Sequence, residues 1–259
     1  MTEKRYHNAS PESGEAENIV VGRNPVLELL RNGKEIEKIF LQRGEREGSI
    51  SLIFSEAKKR GIVILEVDKR KLDQMSAGNA HQGVAAMVAL KEYVSIADMV
   101  AAAEAKGEKP LIVVCDDVED PHNIGAIIRS AECAGAHGLI IGKRHAPVIG
   151  QTVYKSSAGA AELLPIARVP NIAAAIEELQ KLGVWVYAAD MDGSPYSKTD
   201  WTGPCALVLG SEGSGVSRLV KEKCDFCVSI PMYGHINSLN VSAAASVLLF
   251  AAAESRHSR

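Results

Sequence analysis

The chain has 259 residues, of which 46% are hydrophobic and 24% charged, and its net charge is -3. This composition is that of a globular protein with one or two domains and excludes a disordered or fibrous chain. No apolar run approaches the ~20 residues of a membrane span. The five cysteines are odd in number and irregular in spacing, which excludes a disulfide framework and predicts a reduced, cytoplasmic protein. The single C-x-x-C pair, Cys224 and Cys227, lacks the second pair of a zinc ribbon, and Cys227 is predicted to pack in the core.

Charge and polarity divide the N-terminal third into two segments. Residues 1–17 carry a net charge of -2 and no apolar core, so they predict a disordered tail and not a secretory signal. Residues 18–92 carry +3, whereas residues 93–259 carry -4. The pattern of 18–92 predicts a compact α/β module large enough to fold alone. Its strands are predicted at 19–21, 36–41, 62–67 and 83–90, and its helices at 26–30, 50–60 and 68–76.

The remainder of the chain predicts a second α/β domain over residues 109–259. Residues 93–108 are rich in alanine and charge and predict a helical linker. Strands and helices then alternate, which predicts a parallel sheet with helices on both faces and ligands at the carboxyl ends of the strands. The strands are predicted at 111–115, 138–141, 163–169, 184–188, 207–209 and 227–230, and the helices at 124–134, 152–157, 172–182 and 242–253.

Polar residues follow the first strand of this domain, where 116–125 reads D-D-V-E-D-P-H-N-I-G. Its four acids could bind Mg²⁺ or complement a helix dipole, and the second role is the commoner one, so we predict no metal site. Asn123 is predicted to cap the following helix. Arg129 lies six residues further on, so both side chains can reach the ligand edge of the sheet.

Two strand ends near the carboxyl terminus are broken by glycine or proline. Residues 207–217 read L-V-L-G-S-E-G-S-G-V-S, and residues 228–242 read V-S-I-P-M-Y-G-H-I-N-S-L-N-V-S. Three glycines around Glu212 would let the backbone approach a ligand closely. The alternative from spacing alone is a pair of ordinary strand-to-helix turns.

These stretches resemble a known family. Residues 120–131 resemble the first signature motif of the SpoU-type RNA 2′-O-methyltransferases, and residues 209–215 and 230–242 resemble the second and third. Three motifs in order make a specific match to the C-terminal domain. The N-terminal module, closing on H-Q-G-V-A at 81–85, resembles the ribosomal-protein-like RNA-binding domain of the RlmB/TrmH subgroup.

The resemblance implies a fold, a cofactor and an assembly. The C-terminal α/β domain would contain a deep trefoil knot, with its last helix threaded through a loop. The methyl donor would be S-adenosylmethionine, held largely by backbone groups of the knotted loops. Family members usually form homodimers through the knotted domains. The residues that the resemblance places around the donor are Leu209, Gly210, Ile230, Met232 and Leu239.

The resemblance also implies a catalytic set. It consists of Asn123, Arg129, Glu212, Ser238 and Asn240. Arg129 is often proposed in the family as the base, but a guanidinium with a pKa above ~12 is a poor base. We therefore hypothesise that Arg129 holds an RNA phosphate and the 2′-oxygen. His122 or His235 would be an easier base, although either histidine is equally open to a structural role.

A 2′-hydroxyl acceptor means RNA, because DNA lacks that group. The resemblance is nearest to the RlmB type, which implies a guanosine of large-subunit (23S) rRNA. Two basic triplets of the N-terminal module are candidate phosphate contacts, with solvated helix faces as the alternative. They are Lys58, Lys59, Arg60, Lys69, Arg70 and Lys71.

Three other functions compete with this interpretation. One is a tRNA ribose methylase, which the N-terminal module disfavours because the tRNA enzymes generally lack such a module, or a methylase of antibiotic resistance. Another is a non-catalytic RNA-binding or ribosome-assembly factor, which has no need of the catalytic set. A nucleotide-binding dehydrogenase is excluded because no G-x-G-x-x-G follows the first strand.

Overall fold

The computed structural model describes residues 18–44, 47–76 and 78–257, and the predicted tail at 1–17 lies outside them. The described chain divides into two compact units, one that ends at Leu90 and one that begins at Lys91. None of its helices is both long and apolar enough to span a membrane.

The N-terminal unit is a four-stranded sheet packed against helices. The sheet has the order β1-β4-β2-β3, in which β2 and β3 are parallel and the other pairs antiparallel. Helix α2 buries Ile50, Ile53 and Ala57, a spacing that places them on one face. The strands are β1 Ile19–Val21, β2 Ile36–Gln42, β3 Val63–Val67 and β4 Val84–Val88, and the helices are α1 Arg23–Arg31, α2 Ser49–Lys59 and α3 Lys69–Ser76.

The C-terminal unit contains a six-stranded sheet, in which every neighbouring pair is parallel. The order is β10-β8-β9-β5-β6-β7. Strands β6 and β7 therefore lie on one side of β5, and the later strands β8, β9 and β10 lie on its other side. Because β5 and β9 are central and covered on both faces, all of their residues are buried. The strands are β5 Leu111–Cys115, β6 Gly138–Gly142, β7 Ile166–Val169, β8 Trp185–Pro195, β9 Cys205–Leu209 and β10 Phe226–Ser229.

Seven helices of the described residues cover this sheet. They are α4 Ile96–Ala105, α5 Pro121–Cys133, α6 Gln151–Ser156, α7 Ala160–Leu163, α8 Ile172–Lys181, α9 Arg218–Lys223 and α10 Val241–His257. The sequence did not predict α7 and α9, which are four and six residues long. Strand β8 continues past its predicted end at residue 188 to Pro195, and its pairing with β10 contains a bulge.

The segment 93–108 is not a free linker, which corrects the prediction. Its helix α4 begins with a capping box between Ser95 and Asp98. Ile96, Met99 and Val100 are buried in the hydrophobic cluster on one face of the six-stranded sheet. The predicted helix is present, but its apolar residues at three- and four-residue spacing give α4 a buried face, so it belongs to the C-terminal unit.

The prediction that Cys227 packs in the core is confirmed. Cys224 and Cys227 are partly buried against the same cluster as α4. Burial raises the pKa of the Cys224 thiol to about 12 and also raises the pKa of Cys227. A thiol with a raised pKa forms little thiolate at neutral pH, so this pair is unreactive.

Candidate active site

The two central strands of the sheet bring distant segments together. Cys115 at the end of β5 lies beside Leu209 at the end of β9 in parallel register. Immediately beyond, the Asp116 N–H donates to the Leu209 carbonyl at 2.8 Å, and the Asp116 carboxylate accepts from the Ser217 N–H at 2.8 Å. The segments that follow β5 and β9 therefore start at the same edge, as expected for a ligand site of a parallel sheet.

The loop after β9 is a tight turn that two of its three glycines permit. Ser211 and Gly215 exchange backbone hydrogen bonds of 3.1 and 2.9 Å across it. A Cβ on Gly210 would overlap the backbone of Gly215 and Val216, and Gly215 itself has φ +66°. The turn presents Glu212 as an exposed side chain. Gly213 has neither constraint.

Glu212 is joined to two asparagines, which we call the Asn–Glu–Asn cluster: Asn123, Glu212 and Asn240. Asn123 Nδ2 donates to Glu212 Oε1 at 3.0 Å. Asn240 Nδ2 donates to the same oxygen at 2.5 Å and to Asn123 Oδ1 at 3.0 Å. One residue from each of the three motifs therefore meets at a single point.

The orientation of the Asn240 amide follows from its second role. Its Oδ1 accepts from the Ser242 N–H at 2.9 Å and from the Ser242 hydroxyl at 2.6 Å, at the start of α10. An amide oxygen can only accept, so capping the helix turns Nδ2 toward the other two members of the cluster.

Asn123 does not cap α5, which corrects the prediction. Asp120 is the cap, with its carboxylate accepting from the His122 N–H at 2.8 Å, and Pro121 occupies the first turn. This frees the Asn123 side chain, which is buried, to reach Glu212. Proline is favoured at the first position of a helix, so Pro121 was the sequence signal that α5 begins two residues before Asn123.

The acids after β5 act on the chain itself. Asp116 and Asp120 accept from backbone N–H groups, and Glu119 Oε1 lies 2.9 Å from His145 Nδ1. Burial raises the pKa of the Asp117 carboxyl, and the charge of Asp116 adds to this effect. Sequence reasoning missed Asp116 as a link to the β9 loop, although an acid directly after a buried strand was a usable signal.

Two residues of the predicted catalytic set are not hydrogen-bonded to the cluster. Within residues 18–44, 47–76 and 78–257, the side chains of Arg129 and Ser238 form no hydrogen bond or ion pair, and both are exposed. Arg129 is six residues along α5 from Asn123, which turns it about 120° away around the helix axis. His122 and His235 are also exposed.

The residues predicted around the methyl donor surround the same strand ends. The Leu209 side chain is buried in the core, so only its backbone groups can face a ligand, whereas the Ile230 side chain is half-buried against the same core. Met232 and Leu239 are 36% and 43% exposed. In the described part of the chain, the backbone groups of Gly210, Met232 and Leu239 form no hydrogen bonds.

The two basic triplets lie at opposite ends of β3. Lys58, Lys59 and Arg60 end α2 just before that strand, and residues 69–71 open α3 just after it. Its five residues separate the triplets by about 16 Å, too far to act as one cluster. Two cations of the first triplet pair with Glu56: Arg60 Nε lies 3.1 Å from Glu56 Oε1, and Lys59 Nζ lies 3.8 Å from Glu56 Oε2.

Comparison with known proteins matches both units. The family model of the SpoU rRNA Methylase family matches residues 110–250, and the model described as RNA 2′-O ribose methyltransferase substrate binding matches residues 19–94. The two together define an RNA methyltransferase with a substrate-binding unit of its own. The chain belongs to the SpoU rRNA Methylase family, which confirms the resemblance.

Similar proteins span nearly the whole chain. YacO of Bacillus subtilis, whose name assigns it to the TrmH family of tRNA/rRNA methyltransferases, is 44% identical over 89% of this chain and 93% of its own. A TrmH family relative of Staphylococcus haemolyticus is 42% identical over 92% of this chain and 96% of its own. The SpoU methyltransferase AviRb from Streptomyces viridochromogenes, whose structure is in complex with the cofactor AdoMet, is 26% identical in sequence. Its structure matches with a TM-score of 0.59 over 93% of this chain and 91% of its own.

Proposed function

We propose that this RNA methyltransferase uses S-adenosylmethionine to methylate the ribose 2′-hydroxyl of a guanosine in large-subunit (23S) rRNA, and that it works in the cytoplasm. The observation that carries the proposal is the Asn–Glu–Asn cluster, in which hydrogen bonds join all three family motifs at the carboxyl edge of the sheet. The relatives' names cover tRNA and rRNA. The choice of rRNA rests on the resemblance to the RlmB type.

The strand ends fit the proposed donor. Adenosine needs hydrogen-bonding groups beside an apolar surface. The backbone groups of Gly210, Met232 and Leu239 are unengaged among the described residues, and the apolar side chains of Met232 and Leu239 are partly exposed. AviRb, similar over most of its length, is described with AdoMet bound. The donor, when bound, supplies an electrophilic methyl group.

The chain's own residues would orient the acceptor ribose and receive its proton. Glu212 Oε1 already accepts two hydrogen bonds, so the cluster is a rigid positioning element for the hydroxyl. Ser238, two residues before Asn240, would contact the ribose. Arg129 would hold the adjoining phosphate, and that phosphate would help to take up the proton of the hydroxyl. His122 or His235 is the alternative proton acceptor.

Methyl transfer with labelled donor tests this function. We expect calorimetry to show one S-adenosylmethionine per chain, and rRNA from cells lacking the protein to receive label that digestion recovers as 2′-O-methylguanosine.

Replacing both basic triplets with glutamine should weaken binding of this RNA and flatten its salt dependence. Label in tRNA instead would select the tRNA methylase. Donor binding absent from a folded protein that still binds RNA would select the non-catalytic assembly factor.

We propose further that two copies associate through the C-terminal unit. Helix α10 is mostly apolar from Val241 to Ala253, and Val247 and Phe250 on its outer face are 36% and 51% exposed. They line a cavity of about 710 Å³ beside the end of α5. An apolar face of this kind is typical of a surface covered by a partner.

Phe250→Glu is expected to convert a dimer into monomers, because a carboxylate would have to be buried at the interface. Light scattering of the full chain measures the mass. Leu219→Glu is the matched control, since Leu219 is 58% exposed on α9 and should leave the mass unchanged. A wild-type mass of one copy would contradict the proposal.

The deep knot implied by the family also remains a proposal. The contact of Asn240 with Asn123 and Glu212, just before α10, supports it because this contact brings the segment that enters the last helix against both earlier loops. An experimental chain trace with α10 outside every loop would contradict it.

A further inference from the structure

Besides the two basic triplets of the N-terminal unit, the chain has a group of cations on the segments that follow β5 and β6 in the C-terminal unit. They are Lys143, Arg144, Lys155 and Arg129, which we call the β6–α6 cationic surface. Within the described ranges, none of these four side chains has an ion pair or hydrogen bond. Unpaired surface cations are common, so their position in the fold must decide whether they matter.

The register of the sheet places the first two beside the candidate active site. Strand β6 is parallel to β5, with Ile141 beside Cys115. Lys143 and Arg144 therefore leave the sheet next to the segment that leads to Asn123. Their turn is held in place, because the Lys143 N–H donates to the Val169 carbonyl at 2.7 Å and Arg168 Nη2 donates to the Lys143 carbonyl at 3.3 Å.

A close helix crossing places the other two cations. A Cβ on Gly125 would overlap the Ser156 hydroxyl, whose oxygen also lies 3.2 Å from the Pro121 carbonyl oxygen. The end of α6 thus rests on the first turns of α5. Lys155 immediately precedes Ser156 and is exposed, and Arg129 lies one turn beyond Gly125 on the same face of α5.

The neighbouring acids do not neutralise this surface by pairing with it. Asp116 and Asp120 hold backbone N–H groups, and Glu119 holds His145. These three carboxylates thus face the chain's own donors, while Arg144, Lys155 and Arg129 are exposed and Lys143 is half-buried. Cations held by well-anchored segments beside a nucleotide site suit phosphate oxygens, which attract ammonium and guanidinium groups.

We propose that the β6–α6 cationic surface binds the phosphates of the RNA strand next to the target ribose. This inference rests on the proposed function and adds an RNA contact within the C-terminal unit, separate from the two triplets of the N-terminal unit. Phosphate contacts fix the position of the strand without reading its bases. The surface would thus hold the strand while the Asn–Glu–Asn cluster positions the hydroxyl.

The test compares two triple variants of the full chain. The surface variant is Lys143→Gln, Arg144→Gln and Lys155→Gln. The control variant is Lys106→Gln, Lys109→Gln and Lys181→Gln, which removes the same charge from exposed positions before β5 and β8, at the opposite edge. Binding of a short fluorescent oligouridylate is measured over a series of salt concentrations.

We expect the surface variant to bind this RNA at least tenfold more weakly at low salt. The slope of log affinity against log salt should shrink by about 2, since each contact with a single strand contributes about 0.7. The control should keep the wild-type slope. A wild-type slope in the surface variant, or an equal loss in both variants, would overturn the inference.

Donor binding and methyl transfer by the wild-type protein separate this inference from the proposed function. If the wild type binds S-adenosylmethionine and labels RNA while the surface variant keeps its slope, only the inference fails. If the wild type transfers no methyl group but the surface variant loses slope, the proposed function fails and the RNA-binding surface stands.

Discussion

Glu212→Ala is expected to lower the rate of methyl transfer by about 100-fold, the typical cost of misplacing reacting groups by about 1 Å. Glu212 Oε1 is the shared acceptor of both asparagines in the cluster. Without it, the loop after β9 loses its link to the first and third motifs. The asparagine side chains then have no common anchor, and the acceptor ribose loses its fixed position.

The folded structure should survive this change. Glu212 is exposed, and Asn240 keeps its cap on α10 through Oδ1, which does not involve Glu212. We therefore expect the unfolding free energy to change by no more than about 1 kcal/mol. Methyl transfer at saturating RNA and donor is the readout, with thermal unfolding measured in parallel.

Two further variants sharpen the result. Glu212→Gln keeps an acceptor oxygen but loses the charge, so it should retain more activity than alanine. Glu222→Ala removes an exposed carboxylate that pairs with Arg218 at 3.2 Å on α9, and it should be active. Activity of Glu212→Ala within threefold of wild type would show that the cluster does not position the acceptor.

The second large effect concerns stability. Arg256→Ala is expected to reduce the unfolding free energy by about 3 kcal/mol, because several charge-assisted hydrogen bonds are lost together. Near the end of α10, Arg256 donates to the carbonyls of Trp201, Lys109 and Gly203 at 2.9, 2.7 and 2.6 Å, and to that of Pro110 at 3.0 Å. These carbonyls precede β5 and β9, so one side chain fastens the last helix to the segments that enter both central strands.

The melting temperature of the C-terminal unit should fall by roughly 6–12 °C. Arg256→Lys should lose most of the same stability, because a single ammonium cannot reach four carbonyls that a planar guanidinium spans. The matched control is Arg218→Ala, whose guanidinium is 90% exposed and pairs only with Glu222 among the described residues, so little change is expected. Equal melting temperatures for Arg256→Ala and wild type would contradict the prediction.

Local patterns in the sequence predicted most of the elements. Apolar runs such as Leu111–Cys115 and Cys205–Leu209 are buried strands because both faces of a central parallel strand are covered. The polar stretches after these strands predicted where ligands could bind. Boundaries failed where short helices or a cap depended on local hydrogen bonds, as at Asp120.

The sequence by itself determined that strands and helices alternate, that Gly210 and Glu212 follow a buried strand, and that the chain resembles the SpoU family. Only the tertiary structure decided which residues meet. Asn123 and Asn240 are 117 positions apart, and their contact depends on the parallel register of β5 with β9. The pairing of β6 with β5 decided that Lys143 and Arg144 emerge beside the site. Strand order is a non-local property of the folded chain, and no local pattern of residues specifies it.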